Sequence, residues 1–348
     1  MRNNYRFKKA AKKSIDGEVV RIAYLGGSVT AGYIPQKGNT ENNFAKMSFD
    51  YFSKKSKNNK CLISNYGVSG TDSFTGLAIA EKYLEDEPAD VIFVEYALNN
   101  SNDDESRLAF EGLIRKLYNM KNKPAIALIL IANKDFSTSG EYMEILGEHY
   151  GLQTVNVGEK LKSEIEKGNI QCDDYSVDSG HPSEYGHEFI ASQINKMWDS
   201  IWKEKFDKEL KEIPEAYFGD AYENYKFMSF SSLRDISMTG FRFFNKNELL
   251  GERITSTGES QSAVLFTTRF SSLYIIFESA NNINCGEMQI YIDNNYVENI
   301  SGYSPSGRDD ITCRLAYRGN STAFHDVKIL MKNKDRKQFI NIIGIGIC

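Results

Sequence analysis

The segment Val91-Ile92-Phe93-Val94-Glu95-Tyr96 is almost continuously apolar and too short to be a buried helix. A strand of that composition needs cover on both faces, which is the condition of a parallel sheet held between layers of helix. The neighbouring sequence repeats the condition. Further strands are predicted at Val19–Leu25, Cys61–Tyr66, Ala125–Ile131 and Gln153–Val157, and helices near Met1–Asp16, Asn42–Ser53, Phe74–Leu84, Asp104–Met120 and Gly140–Tyr150. A last helix opens near Ser183 and carries Ile190, Ile194, Met197 and Ile201 on one face. Such alternation across residues 18–205 predicts an α/β fold with a parallel sheet.

Beyond the charged stretch Lys203–Glu215, which contains Pro214, the pattern changes. Leu273–Phe277 is apolar, Met288, Ile290 and Ile292 alternate with polar residues, and so do Val327, Ile329 and Met331, while Asp293-Asn294-Asn295 reads as a turn. These short strands predict an antiparallel β-sandwich. A chain of 348 residues can bury two cores, and the domains are placed at 1–212 and 213–348. A net charge of −5 argues against general affinity for nucleic acid or anionic membrane, and no stretch approaches the roughly 20 apolar residues of a membrane span. The basic amino end, Arg2 to Lys13, is followed by no apolar core of the signal-peptide kind. Five scattered cysteines (Cys61, Cys172, Cys285, Cys313 and Cys348) fit reduced thiols rather than a metal site, so a cytoplasmic location is expected.

Chemistry is expected where the strands end. Ser28 follows Gly26-Gly27 after the first strand, Gly70 follows the second, and Asn99 follows the third, all at one sheet edge. A serine attacking an acyl carbon needs a proton acceptor and donors for the oxyanion. The Ser28 and Gly70 N–H groups and the Asn99 amide supply such donors. The base is sought in Val177-Asp178-Ser179-Gly180-His181-Pro182, where Asp178 can hold one imidazole nitrogen while the other faces Ser28. Alone, Asp-x-x-His is as readily a capped helix start, and Gly-Gly-Ser a plain loop. It is their match to one another that points to chemistry.

Residues Gly26-Gly27-Ser28-Val29-Thr30, Asn65-Tyr66-Gly67-Val68-Ser69-Gly70, Val94-Glu95-Tyr96-Ala97-Leu98-Asn99 and Asp178-Ser179-Gly180-His181-Pro182 resemble, in order, the four sequence blocks of the SGNH (GDSL-like) hydrolases. The resemblance implies a three-layer α/β/α, flavodoxin-like domain with Ser28 as nucleophile, Gly70 and Asn99 as oxyanion donors beside the Ser28 N–H, and Asp178 with His181 as the acid–base pair. Gly27 and Asn100 stand where the family commonly has aspartate. With a β-sandwich following, the chain resembles carbohydrate esterases that remove acetyl groups from glycans, including those acting on manno-oligosaccharides, whose second domain is similar to a jelly-roll carbohydrate-binding module. The implied partner is an acetylated oligosaccharide, with no metal or organic cofactor. Rival functions are an O-acyltransferase, a lipase or thioesterase with the same residues, and a glycan-binding protein with an inactive hydrolase domain. Three roles are open to the second domain: binding glycan, walling the active site, or mediating a homodimer.

Tyr33, Asn100 and Tyr303 are the residues expected to touch substrate. His187 is expected to pack beneath the site, and His149 and His325 to stand outside it. Trp198 and Trp202, four apart on a helix, are expected to be buried rather than sugar platforms. The loop 303–308 reads as an exposed turn, and Asp309-Asp310 as a solvated pair rather than a calcium site.

Overall fold

The computed structural model describes residues 3–84, 86–210, 212–244, 250–257, 262–305, 307–332 and 338–348. They form two compact units, Met1–Gly76 with Tyr83–Asp220, and Leu77–Lys82 with Ala221–Cys348.

The elements of the amino-terminal part, in chain order, are α1 (Tyr5–Ile15), β1 (Arg21–Gly26), α2 (Ser28–Ala31), β2 (Tyr33–Ile34), β3 (Gly38–Asn39), α3 (Phe44–Ser56), β4 (Leu62–Gly67), α4 (Ser73–Ile79) with a π-helical turn (Ala80–Leu84), β5 (Val91–Glu95), α5 (Asp104–Asn119), β6 (Ala125–Leu130), α6 (Gly140–His149), β7 (Gln153–Asn156), α7 (Val157–Glu166), α8 (Cys172–Tyr175) and α9 (Glu184–Lys203). Five strands form one sheet in the order β4-β1-β5-β6-β7, parallel throughout. The fold is thus a three-layer α/β/α arrangement. Side chains of successive strand residues point to opposite faces. Ile22, Tyr24, Phe93 and Ile129 meet Phe7 of α1, Phe44 and Phe52 of α3, and Ile190, Ile194 and Trp198 of α9. Leu25, Val94 and Leu128 are buried on the alternate positions, as are Phe110, Leu113 and Leu117 of α5 and Leu146 of α6. Trp198 is wholly buried, its ring 5.5 Å from that of Phe7, and Trp202 packs partly buried on the same cluster. Helix starts are capped where the sequence supplies an acceptor: Asn43, Asp103, Asn156 and Ser183 each take a first-turn N–H.

Toward its end this unit is fastened by a buried carboxylate. Glu111 of α5 accepts the N–H groups of Tyr217, Phe218 and Gly219 at 2.6, 2.6 and 3.0 Å, and the Tyr150 hydroxyl at 2.5 Å. Arg115, one turn along, donates to the Pro214 carbonyl at 2.8 Å.

The later strands are β8 (Lys226–Met228), β9 (Ser237–Thr239), β10 (Phe241–Phe244), β11 (Arg253–Ser256), β12 (Ala263–Ala280), β13 (Glu287–Ile292), β14 (Asn295–Ser301), β15 (Arg308–Lys332) and β16 (Asn341–Ile347). All their pairings are antiparallel. The ribbon of β12 and β15 dominates, and register shifts between Phe270 and Ser272 bend it. One half of the ribbon is flanked by β9 and β13, the other by β16, so the two faces of the sandwich share their longest strands. Phe266, Phe277, Met288, Ile290, Val327 and Ile345 fill the space within. Asp293 and Asn294 turn between β13 and β14 with φ of 51° and 65°, a conformation that suits Asn and Asp. No helix among the described residues is long and apolar enough to cross a membrane.

Candidate active site

β1 lies between β4 and β5 with Gly26 in register with Gly67 and with Glu95. The chain therefore leaves all three strands at one edge. After β1 it turns through Gly27 directly into α2, whose first residue is Ser28. The sequence suggests glycines here to ease a sharp turn; the structure gives a different reason. Gly27 has φ −86° and ψ −150°, ordinary extended backbone. What forbids a side chain is space: a Cβ on Gly27 would collide with Asn99 Oδ1, one on Gly26 with Thr30 Oγ1, and one on Gly67 with the Ala31 backbone. The short helix is thus seated directly on the two neighbouring strands.

Ser28, 8% exposed, has its Oγ 3.0 Å from His181 Nε2. His181 Nδ1 is 2.7 Å from Asp178 Oδ2. A carboxylate only accepts, so Nδ1 carries the proton, Nε2 presents its lone pair, and the Ser28 hydroxyl donates to it. Asp178 Oδ1 also takes the N–H groups of Gly180 at 2.9 Å and His181 at 2.7 Å. Burial opposes ionisation of Asp178, but the hydrogen bonds from the His181 backbone and ring and from Gly180 outweigh it and hold the carboxyl below its usual range. The loop itself is closed by Ser176, whose hydroxyl donates to the carbonyls of Asp178 at 3.0 Å and His181 at 2.8 Å, and it is tied to the loop after β6 by the Lys134 N–H on the Ser179 carbonyl at 2.7 Å. Helix α9 is capped by Ser183 accepting from Gly186, which leaves Asp178 free of capping duty.

Asn99 stands with its side-chain amide beside Gly27, and so beside the nucleophile turn. In the next loop Val68 N–H continues the pairing onto the Gly26 carbonyl at 3.0 Å, and Gly70 turns with φ +74°. Tyr33, at the base of the β2–β3 hairpin, sets its ring edge-on to His181 with centroids 4.9 Å apart. The hairpin's Lys37 reaches Glu184 at 2.6 Å. Asn100, expected at the substrate, is committed to the fold instead. Its Oδ1 accepts from Ser73 N at 3.0 Å and its Nδ2 donates to Ser73 Oγ and Tyr142 Oη at 2.8 and 2.9 Å, which fixes the Asn99 loop. Tyr303 belongs to the second unit, 42% exposed, its N–H donating to Ser301 Oγ. Ser306 and the side chains of Arg308 and Asp309 lie outside the described residues.

His187 is fully buried, stacked on Phe44, with Nδ1 accepting from the Phe44 N–H at 3.4 Å, and burial pushes its imidazole down to about 4. It is neutral and packs as expected. His149 Nε2 donates to the Glu215 carbonyl, 2.8 Å away. His325 forms a second histidine–carboxylate pair, with Asp293 at 2.7 Å, but that ring is packed against Phe270 and Tyr317 and the pair closes the β13–β14 turn. The group that sequence reasoning missed is Glu95, buried beneath the nucleophile turn with Thr30 Oγ1 donating to its Oε2 at 3.0 Å. Its signal was present: one carboxylate at the end of an otherwise apolar strand. Among the described residues no cluster of His, Cys, Asp and Glu has the makings of a metal site.

No protein-family model matches the sequence, and no curated protein matches it. Solved structures do. A two-domain esterase active on acetylated mannans, co-crystallised with mannopentaose, superposes with a TM-score of 0.88 over 99% of this chain and 94% of its own, at 20% identity. A second structure of a two-domain esterase active on acetylated mannans gives the same score and identity over 98% and 94%. An acetylxylan esterase from Geobacillus stearothermophilus, as a catalytic mutant, matches 55% of this chain and 97% of its own at 14% identity, with a TM-score of 0.42 too low to carry weight. At these identities the likeness is one of fold: a parallel α/β/α unit in a chain that also carries an antiparallel β-sandwich unit, as in the two esterases.

Proposed function

We propose that the protein is a serine esterase that removes O-acetyl groups from an oligo- or polysaccharide through an acyl-enzyme. The single observation that carries the reading is the relay from Ser28 Oγ to His181 Nε2 and from His181 Nδ1 to Asp178, at 3.0 and 2.7 Å. In this reading Ser28 Oγ bonds to the ester carbon while His181 takes its proton, and Asp178 stabilises the imidazolium that forms. The carbonyl oxygen becomes an oxyanion received by the N–H groups of Ser28 and Gly70 and the amide of Asn99. His181 then returns the proton to the sugar oxygen as the C–O bond breaks. Water, deprotonated by the same imidazole, repeats the attack and releases acetate.

The substrate class is drawn from the esterases active on acetylated mannans that share both domains in fold. Tyr33, edge-on to His181, is assigned to the wall that meets the sugar, and the second unit, which carries Tyr303, to glycan binding. The test is acetate release from acetylated manno-oligosaccharides and from 4-nitrophenyl acetate by the wild-type chain and by Ser28→Ala. Loss of at least about a thousandfold in kcat is expected for the variant. Wild-type turnover by Ser28→Ala would refute the nucleophile, and turnover of the nitrophenyl ester without any acetylated glycan would refute the substrate.

A further inference from the structure

Glu95 closes β5, whose other members are Val91, Ile92, Phe93 and Val94, and it is 1% exposed. Removing a carboxylate from water is expensive unless donors replace the lost hydration. Its titratable neighbours, Tyr96 and Tyr175, are phenols that burial keeps neutral, so they supply no opposite charge. What faces Glu95 is the nucleophile turn. Thr30 Oγ1 donates to Oε2 at 3.0 Å; burial pushes the carboxyl up to about 7, and this hydroxyl and the N–H groups of Gly27 and Thr30 offset the rise in part.

The reason lies in how α2 begins. A helix starts with N–H groups that have no partner within it, and a side chain at the N-cap normally takes the one on the third helical residue. Here the N-cap is Gly27, which has no side chain to offer and, with Asn99 against it, no room for one. The third helical residue is Thr30. Glu95 thus delivers from the neighbouring strand the acceptor that the N-cap lacks, to the residue an N-cap would serve. It meets Thr30 through the hydroxyl at Oε2, while Oε1 has no hydrogen-bond partner among the described residues.

We propose that Glu95 is a positioning residue for the reaction: by capping α2 from beneath through Thr30, it fixes Ser28 against His181 and against the oxyanion donors. The proposal rests on Ser28 as the nucleophile. A cap needed only for folding would be cheaper as a neutral side chain, whereas a carboxylate sets negative charge beneath the first turn of α2, where the aligned N–H groups favour it.

The experiment compares Glu95→Gln, Thr30→Val and Thr30→Ser in the full chain, with Ser28→Ala as the reference. Glutamine keeps the shape and an oxygen for Thr30 Oγ1 but removes the charge beneath the first turn of α2. Expected for Glu95→Gln is a loss of about ten- to a hundredfold in kcat on 4-nitrophenyl acetate, with KM within about twofold and a matching fall in the rate at which a phosphonate labels Ser28. Thr30→Val should fall in the same direction, Thr30→Ser should recover most of that loss, and the double variant should lose little more than the worse single one. A folded Glu95→Gln with wild-type kcat and labelling rate overturns the proposal, as does a Thr30→Val no slower than Thr30→Ser, which decides the matter even if Glu95→Gln does not fold. A loss explained wholly by a smaller folded fraction also overturns it. Wild-type hydrolysis by Ser28→Ala would instead bring down the esterase assignment on which the proposal stands.

Discussion

Replacing Glu95 by glutamine should make the α/β unit more stable at alkaline pH, and the pH dependence of that gain is the telling quantity. Burial raises the Glu95 carboxyl from 4.5 to about 7, and the N–H groups and the Thr30 hydroxyl only partly offset this. A carboxyl held above its ordinary value binds its proton more tightly in the folded chain than in the unfolded one. Its favourable contribution is therefore complete below 4.5 and is lost as pH rises through about 7. The size of the effect is about 3 kcal/mol. Glutamine does not titrate, so the difference in stability between variant and wild type should grow by up to that amount between pH 4.5 and 8.5. At roughly 2–4 °C per kcal/mol, the gap in Tm should widen by about 6–12 °C over the interval, and weaker capping by the amide shifts the gap by the same amount at every pH. Thermal melts followed by far-UV circular dichroism at both ends of the range measure it. A gap in Tm that stays constant with pH would refute the reasoning. So would an opposite trend. A variant that is more stable and slower at pH 8.5 would show directly that the buried charge costs stability where it serves turnover.

Two further outcomes follow from neighbouring geometry. Gly27→Ala drives a methyl into Asn99 Oδ1 and should displace that amide, so kcat/KM on a small ester should fall about a hundredfold or more, as for Asn99→Ala, with little added in the double variant. His187 titrates in the opposite sense to Glu95: burial depresses it from 6.5 to about 4, so its contribution of about 3 kcal/mol is present above 6.5 and lost as pH falls through 4. His187→Phe should flatten the acid side of the stability profile, and an unchanged acid slope in urea melts between pH 7 and 4 would contradict this.

Much of the site could be read from the sequence because each part of it ends a strand or precedes a helix with strong periodicity. Ser28, Asn99, Asp178 and His181 sit in short polar breaks between apolar runs, and the sheet order brings those breaks together. What was hidden depends on direction and space. The pattern set Glu95 at the end of a strand, but only the packing of α2 on that strand tells which way its carboxylate faces. The glycines at 26 and 27 looked like turn residues, and their true constraint, the approach of Thr30 and Asn99, is a contact between distant segments. The hairpin of β2 and β3 is too short for any period to register, and α7 follows β7 with no turn residues between them. In the second unit, Leu273–Phe277 and Val327–Met331 were visible only as pieces. They belong to strands of 18 and 25 residues, whose shifts of register interrupt the alternation by which a strand is recognised.

The clasp at Glu111 defines where the α/β unit can be cut. Three successive amides from Tyr217 to Gly219 end on that one carboxyl group, so the residues after Pro214 satisfy an acceptor already embedded in α5. A fragment stopping at Glu212 would carry every group of the Ser28 site yet leave the buried Glu111 carboxyl without three of its donors, whereas one running to Asp220 keeps them. The stretch from Tyr217 to Gly219 is in this sense a piece of the α/β unit, and a cut that spares the clasp falls beyond it.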